Sequence, residues 1–195
     1  MKFSNKAKGK SSKANSFFAA KFIPGYPISL TNLRIHGMKK KEISSMATNL
    51  YFFPTPFKGI YYVPTEDERG GWLIKRPEIA LKQSLSIYLG TGNFYYSCKT
   101  AEEFHGIDWH ASGDIHVVNP ARSGRIDLED RVARNRGKKT WRAGKVARIL
   151  EFYARKIVFH KVPSIEGAKL KRTPYGDYAL PSQIKRDRKR FREKS

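Results

Sequence analysis

Five side chains of metal-binding type fall within twelve residues: His105, Asp108, His110, Asp114 and His116. Imidazoles and carboxylates ligate divalent cations, and His110-x-x-x-Asp114-x-His116 has suitable donor types. The two histidines must converge across a turn at Gly113, however, and no His pair stands at i, i+4 on a helix. Ordinary loop and strand polarity is therefore the expectation for this run. A second arrangement is Asp114 on a strand followed by Asp127-Leu128-Glu129-Asp130-Arg131, the residue types with which a metal-dependent nuclease holds Mg²⁺. Arg131 stands where such a centre has a lysine, and a guanidinium does not deprotonate to activate water. A nuclease is kept as the second alternative. Cys98 is the sole cysteine. It excludes an intrachain disulfide, and within the aromatic run 93–98 it reads as a packed thiol. There is no Gly-rich Lys-Ser/Thr loop and no Gly-x-Ser-x-Gly elbow. The residue types thus point to no catalytic residue, no metal ligand and no cofactor.

Charge is the stronger signal. The 195 residues carry 39 Lys+Arg against 17 Asp+Glu, a formal charge of +22. Four segments concentrate it: 1–15, Lys39-Lys40-Lys41, 131–148 and 185–194. Together they hold 23 basic and 2 acidic residues, whereas the remainder holds 16 basic and 15 acidic. A nearly neutral body with cationic blocks fits a polyanion partner, and nucleic-acid phosphates supply the counter-charge. No block alternates basic and bulky apolar residues as a helix lying on a lipid surface would, and no run approaches the length of a membrane span. With lysines rather than an apolar segment near Met1, the expected location is cytoplasmic.

The elements that would position these charges follow from periodicity and punctuation. Residues 1–15 read as a disordered basic arm. Thr31 or Asn32 is expected to cap a short helix ending near Gly37. Ile43, Met46, Ala47 and Leu50 form an apolar stripe at helical spacing over 38–50. The aromatic, Pro- and Gly-punctuated stretch 51–64 reads as two short strands around a turn. Pro77 and Gly90 bound a helix over 77–89. Strands are expected at 93–98, 114–118 and 156–162, with two more around Thr173–Gly176. Thr100-Ala101-Glu102-Glu103 reads as a capping box. Residues 121–144 show no sustained period and read as a basic insertion, followed by a helix over 145–154. The predicted class is α+β. A small winged helix-turn-helix-like part (16–65) precedes a mixed α/β domain (66–182), with basic disordered tails at 1–15 and 183–195.

Phe57-Lys58-Gly59-Ile60-Tyr61-Tyr62-Val63-Pro64, then Tyr95-Tyr96-Ser97-Cys98-Lys99-Thr100-Ala101-Glu102-Glu103-Phe104-His105-Gly106-Ile107, are followed by the strands Ile115–Val118 and Ile157–Val162. Over about residues 30–163 this order resembles the antitoxin-like transcriptional regulators of the AbiE abortive-infection type. In them a wing ending in Gly-x-Tyr precedes a Ser-Ala-x-x-x-His-Gly-Leu-like segment. The resemblance implies DNA binding through the 39–49 helix and the 57–63 wing, no catalysis in this chain, and a toxin partner encoded nearby. The basic insertion and basic tail depart from that pattern.

The expected function is double-stranded DNA binding by a transcriptional regulator. Lys39, Lys40, Lys41, Ser44, Ser45 and Asn49 would face the duplex, the lysines on phosphate and the Ser and Asn side chains at base edges. Lys58 would anchor the wing. Arg134, Arg136, Lys138, Lys139, Trp141, Arg142 and Lys145 would add phosphate and stacking contacts. Arg186, Arg188, Lys189 and Arg190 would do so from the tail. The alternative is an RNA-binding or ribosome-associated protein whose basic extensions order on structured RNA.

Overall fold

The computed structural model describes residues 22–110 and 112–192. The expected basic arm at 1–15 lies outside the described residues, as do 193–195. Strand β1 (Tyr26–Ser29) leads into helices α1 (Leu30–Ile35) and α2 (Lys40–Thr48), followed by β2 (Phe53–Pro54) and β3 (Ile60–Val63). The three strands form an antiparallel sheet in the order β1-β3-β2, with Phe53 opposite Tyr62 and Tyr26 opposite Val63. Ser29 caps α1, its hydroxyl accepting from the Asn32 amide at 3.0 Å. Thr31 and Asn32 were the expected caps. They lie inside the helix because the strand runs directly into it. The Glu42 carboxylate accepts from the Lys39 amide at 2.7 Å and secures the start of α2.

Successive residues of β3 go to opposite faces. Ile60 and Tyr62, with Phe53 and Phe57, enter one core, while Tyr61 and Val63 pack with Phe52, Leu33 and Ile43 in another. Helices α1 and α2 therefore cover one face of the small sheet. Beyond it come α3 (Glu66–Gly71) and α4 (Pro77–Leu89), the latter bounded as Pro77 and Gly90 predicted. The Glu68 carboxylate, 2% exposed, accepts from the Tyr62 hydroxyl (2.8 Å) and the Lys75 amide (2.9 Å), tying the sheet to α3 and the segment after it.

The rest of the chain builds a six-stranded mixed sheet in the order β6-β7-β5-β4-β9-β8. Its strands are β4 (Tyr95–Tyr96), β5 (Asp114–Asn119), β6 (Gly124–Asp127), β7 (Lys156–Lys161), β8 (Leu170–Thr173) and β9 (Gly176–Ala179). β5 runs parallel to β7, and β4 parallel to β9. Gly176 is required where the Tyr96 ring crosses it, since a Cβ there would overlap that ring. Tyr96, Val117, Ile157 and Phe159 join the core that holds Phe53, Tyr62, Leu85 and Leu150, so one continuous core links both sheets with α4 and α7 (Trp141–Glu151). The opposite face of the large sheet packs on α5 (Cys98–Phe104) and α8 (Pro181–Arg192) through Tyr95, Val118, Ala101 and Ile184.

Three segments differ from expectation. The strand expected over 93–98 pairs only at Tyr95–Tyr96, and the chain turns into α5 at Cys98, whose φ is +51°. Thr100 is consequently inside a helix and forms no capping box. Its hydroxyl donates to the Asp114 carbonyl (3.2 Å) and accepts from the His116 amide (2.8 Å), pinning α5 to β5. The insertion expected at 121–144 is β6, α6 (Glu129–Gly137) and the first turn of α7. Its period was hidden because α6 buries only Val132 and α7 buries the small Ala143 and Ala147 ahead of Ile149 and Leu150. Residues 183–192, expected as a disordered tail, belong to α8. Asp187, 2% exposed, accepts from the Ser97 hydroxyl (2.6 Å), the Tyr95 hydroxyl (3.1 Å) and the Gln183 amide group (2.9 Å). One carboxylate within a basic run thus docks the helix.

Burial, reinforced by Glu68 beside Tyr62 and by Asp187 beside Tyr95, drives these phenols far above the ordinary value of 10.0, and burial does the same at Tyr96 and Tyr153. The fold favours the neutral phenol, so this stability is complete below the unfolded-state value and is lost as pH rises beyond it. Stability to urea should therefore fall steeply above about pH 10, with tyrosinate absorbance from these rings appearing together with loss of far-ultraviolet dichroism. Ionisation of all ten tyrosines with the dichroism intact would contradict this packing.

Candidate nucleic-acid interface

Helix α2 turns Ile43 inward and presents Lys40, Lys41, Ser44 and Ser45 on its outer face, with Lys39 at its start and Asn49 at its end. All six side chains are exposed. Asn49 donates to the Ser45 hydroxyl at 3.4 Å, which joins two polar groups on that face. No carboxylate lies within ion-pair reach of Lys39, Lys40, Lys41 or Lys58 among the described residues. Lys58 is exposed at the hairpin turn. Phe57 beside it is buried and stacked on Tyr88 at 4.5 Å, which fixes the turn to the body.

The 131–148 cluster is carried by two packed helices held against this hairpin. Arg131 donates to the Pro56 and Thr55 carbonyls, the latter at 3.4 Å. Trp72 stacks on Phe53 of β2 (6.0 Å) and meets the edge of Trp141 (5.4 Å), and the Lys145 ammonium lies 3.4 Å from the Trp72 ring and 3.7 Å from the Trp141 ring. Lys145 is thereby engaged as a cation between two indoles. Burial, with Arg148 nearby, lowers its pKa. Trp141 stays 68% exposed and presents its free face to solvent. Arg136 pairs with Glu151 and ties α6 to α7. Arg134 donates to the Asp130 carbonyl at 3.2 Å. Lys138, Lys139 and Arg142 are exposed around the turn between the helices, with no ion pair among the described residues.

The C-terminal cluster is elsewhere. Arg186, Lys189 and Arg190 are exposed on α8, which covers the face of the large sheet turned away from the shared core, whereas α2 covers the corresponding face of the small sheet. Arg188 is half-buried and donates to Glu102. The structure therefore gathers the hairpin and the 131–145 cluster on one region and leaves the α8 cations on another.

The acidic and histidine candidates do not assemble as their spacing suggested. His110 is exposed at a turn with its ring 3.5 Å from Asp108, and His105 Nε2 meets the Ala179 carbonyl at 3.0 Å. Asp114 and Asp127 both lie opposite Lys156 across the sheet, and Asp127 approaches its ammonium at 4.0 Å. Neither carboxylate meets two further ligand-type groups among the described residues. His116 instead faces His160, Nδ1 to Nε2 at 3.0 Å, with Cys98 alongside. Burial lowers the pKa of both imidazoles, to about 4 at His160 where His116 adds to the effect, and pushes the Cys98 thiol up to about 11 with Asp187 contributing. His160, Trp72 and the positioning role of Arg131 carry no motif or spacing in the sequence that marks them. Alternation in 156–162 places His160 on the face shared by Val158, but the parallel pairing that delivers it to His116 has no local signal.

Comparison with known protein families, with curated proteins and with solved structures finds no match in any of the three.

Because Arg131 satisfies two hairpin carbonyls from the adjacent helix, Arg131→Ala should lower stability by about 1–3 kcal/mol. Urea denaturation followed by far-ultraviolet dichroism measures this. Stability equal to that of the parent protein would show that the hairpin does not depend on the clamp.

Proposed function

We propose that this chain is a cytoplasmic, double-stranded DNA-binding transcriptional regulator of antitoxin type, as the resemblance to the AbiE-type regulators implies, acting with a toxin partner. The observation that carries the reading is the order strand–helix–helix–strand–strand with sheet order β1-β3-β2, combined with an exposed Lys- and Ser-bearing face on the second helix. This is the arrangement expected of a winged helix-turn-helix. Its second helix enters the major groove, and its hairpin lies against the neighbouring backbone. In this reading Lys39, Lys40 and Lys41 hold phosphates, while Ser44, Ser45 and Asn49 reach base edges. Lys58 holds the backbone on the hairpin side, with Lys138, Lys139 and Arg142 adding sequence-independent attraction. Arg131, Arg136, Lys145 and Arg188 position these elements and are taken up by protein contacts. A second reading, binding to structured RNA, is favoured by one observation: the exposed Arg186, Lys189 and Arg190 of α8 lie apart from the α2 region, as a ligand that wraps the body would require.

The triple variant Lys39→Ala/Lys40→Ala/Lys41→Ala tests the leading reading, since these side chains are exposed and their removal leaves the core intact. Binding to duplex DNA, structured RNA and single strands is measured by fluorescence anisotropy over a salt series. The slope of log K against log salt for duplex DNA should flatten by about 2–3 in the variant, close to 0.9 for each phosphate no longer neutralised. An unchanged slope removes α2 from the interface, and tighter binding of structured RNA than of duplex in the parent protein transfers the function to the second reading.

A further inference from the structure

We propose that Cys98, His116 and His160 form a zinc-binding site. The three come from separate elements, the start of α5, the middle of β5 and the end of β7, yet their ligand atoms all lie within 4.8 Å of one another. Strand alternation makes the convergence a property of the fold. His116 shares a sheet face with Val118, and His160 shares it with Val158. That face is the one α5 and α8 cover. One thiolate with two imidazoles is a donor set of the kind zinc takes, borderline in softness and free of hard carboxylate oxygens.

The distances suit the ion. Two nitrogens at about 2.0–2.1 Å from a tetrahedral zinc lie roughly 3.3 Å apart. His116 Nδ1 and His160 Nε2 are 3.0 Å apart, with nearly parallel rings at an interplanar angle of 10°. A few tenths of an ångström of separation, with rotation of both rings so that their lone pairs converge instead of facing each other, would admit the metal. Without it, one imidazole must donate to the other; with it, the donating ring carries its proton on its far nitrogen instead, and both facing nitrogens give electron pairs to zinc. The Cys98 thiol releases its proton to solvent as the Zn–S bond forms. Cys98 is held toward the histidines by a backbone in the left-handed region, φ +51°, a conformation that side-chain-bearing residues adopt at a cost and that gathers at functional sites. His160 is clamped on its other side by Phe191 of α8, ring centroids 4.0 Å apart, which orients a ligand as outer groups do in metal sites. His160 and Phe191 also line an open cavity of about 570 Å³ with Ser123, Lys161 and Pro163, which brings solvent to the His160 side of the cluster. Three protein ligands with an open fourth position is the coordination zinc adopts where it acts on exogenous molecules. This inference stands independently of the DNA-binding reading.

The test uses the full chain, stripped with chelator, dialysed, and supplied with zinc or cobalt(II) chloride. One equivalent of zinc should remain after gel filtration, and cobalt should give intense visible bands with thiolate-to-metal absorption in the near ultraviolet. His160→Gln should weaken zinc binding by more than about 100-fold, beyond the loss expected from an outer partner. Cys98→Ala should abolish the near-ultraviolet band, and His110→Ala should leave both signals unchanged. In the unaltered protein, zinc should slow alkylation of Cys98, and chelator should restore the rate, a readout that needs no variant to fold. Sub-stoichiometric zinc with an alkylation rate indifferent to the metal would overturn the proposal. So would stoichiometric zinc that survives both ligand substitutions.

Discussion

The pleat of a four-residue strand governs the molecule. Ile60 and Tyr62 point into the core shared with the large sheet, and Tyr61 and Val63 point into the core beneath α1 and α2. Because the period of a strand is two, a one-residue slip would exchange the two sets. The Tyr62 hydroxyl would then leave Glu68, whose carboxylate is buried and depends on it together with two backbone amides. An unpaired buried carboxylate is costly, so register is enforced by polar satisfaction as well as by apolar burial. Everything outward of this strand inherits its orientation. Leu33 and Ile43 seat α1 and α2 on one face, leaving the lysine-bearing side of α2 in solvent. Phe53 and Phe57 seat the hairpin on the other.

Within that frame the positive charges divide by environment. Arg131, Arg136, Arg188 and Lys145 are spent on carbonyls, carboxylates and indole rings, and they set the positions of hairpin, helix pair and C-terminal helix. The exposed Arg136–Glu151 pair adds little stability by itself, whereas the half-buried Arg131 contacts contribute to stability as well as to position. Lys39, Lys40, Lys41, Lys58, Lys138, Lys139 and Arg142 carry no such attachment among the described residues. A cation without a protein counter-charge breaks no ion pair on meeting a phosphate and releases condensed counterions when it does. The useful distinction is therefore between cations that build the surface and cations that the surface presents.

Several elements were legible because their signals are local. Pro77 and Gly90 delimit α4, the 43–50 stripe locates α2, and β-branched and aromatic runs locate β5 and β7. The α+β class follows from these. Other elements were hidden for physical reasons. The first turn of α7, ahead of the helix expected over 145–154, packs through the small Ala143, which blurs an apolar period, and α6 rests almost wholly on Val132. Helix α8 owes its docking to Asp187 and Ile184, which a basic run conceals. Thr100 has the spacing of a cap but is used across space, on Asp114 and His116. The meeting of Cys98, His116 and His160 depends on parallel strand pairing between segments 44 residues apart, and no local pattern encodes that. Spacing drew attention to His110 instead, which lies exposed at a turn.

In the proposed function a polyphosphate meets α2 and the hairpin, and the turn between α6 and α7 adds further contacts. Amide hydrogen exchange of the full chain, with and without saturating duplex DNA, addresses it directly by reading every backbone segment at once. Slowed exchange is expected in residues 39–49, 55–59 and 137–142, with the central core unchanged. Protection confined to 185–192, or no protection at saturation, would contradict it.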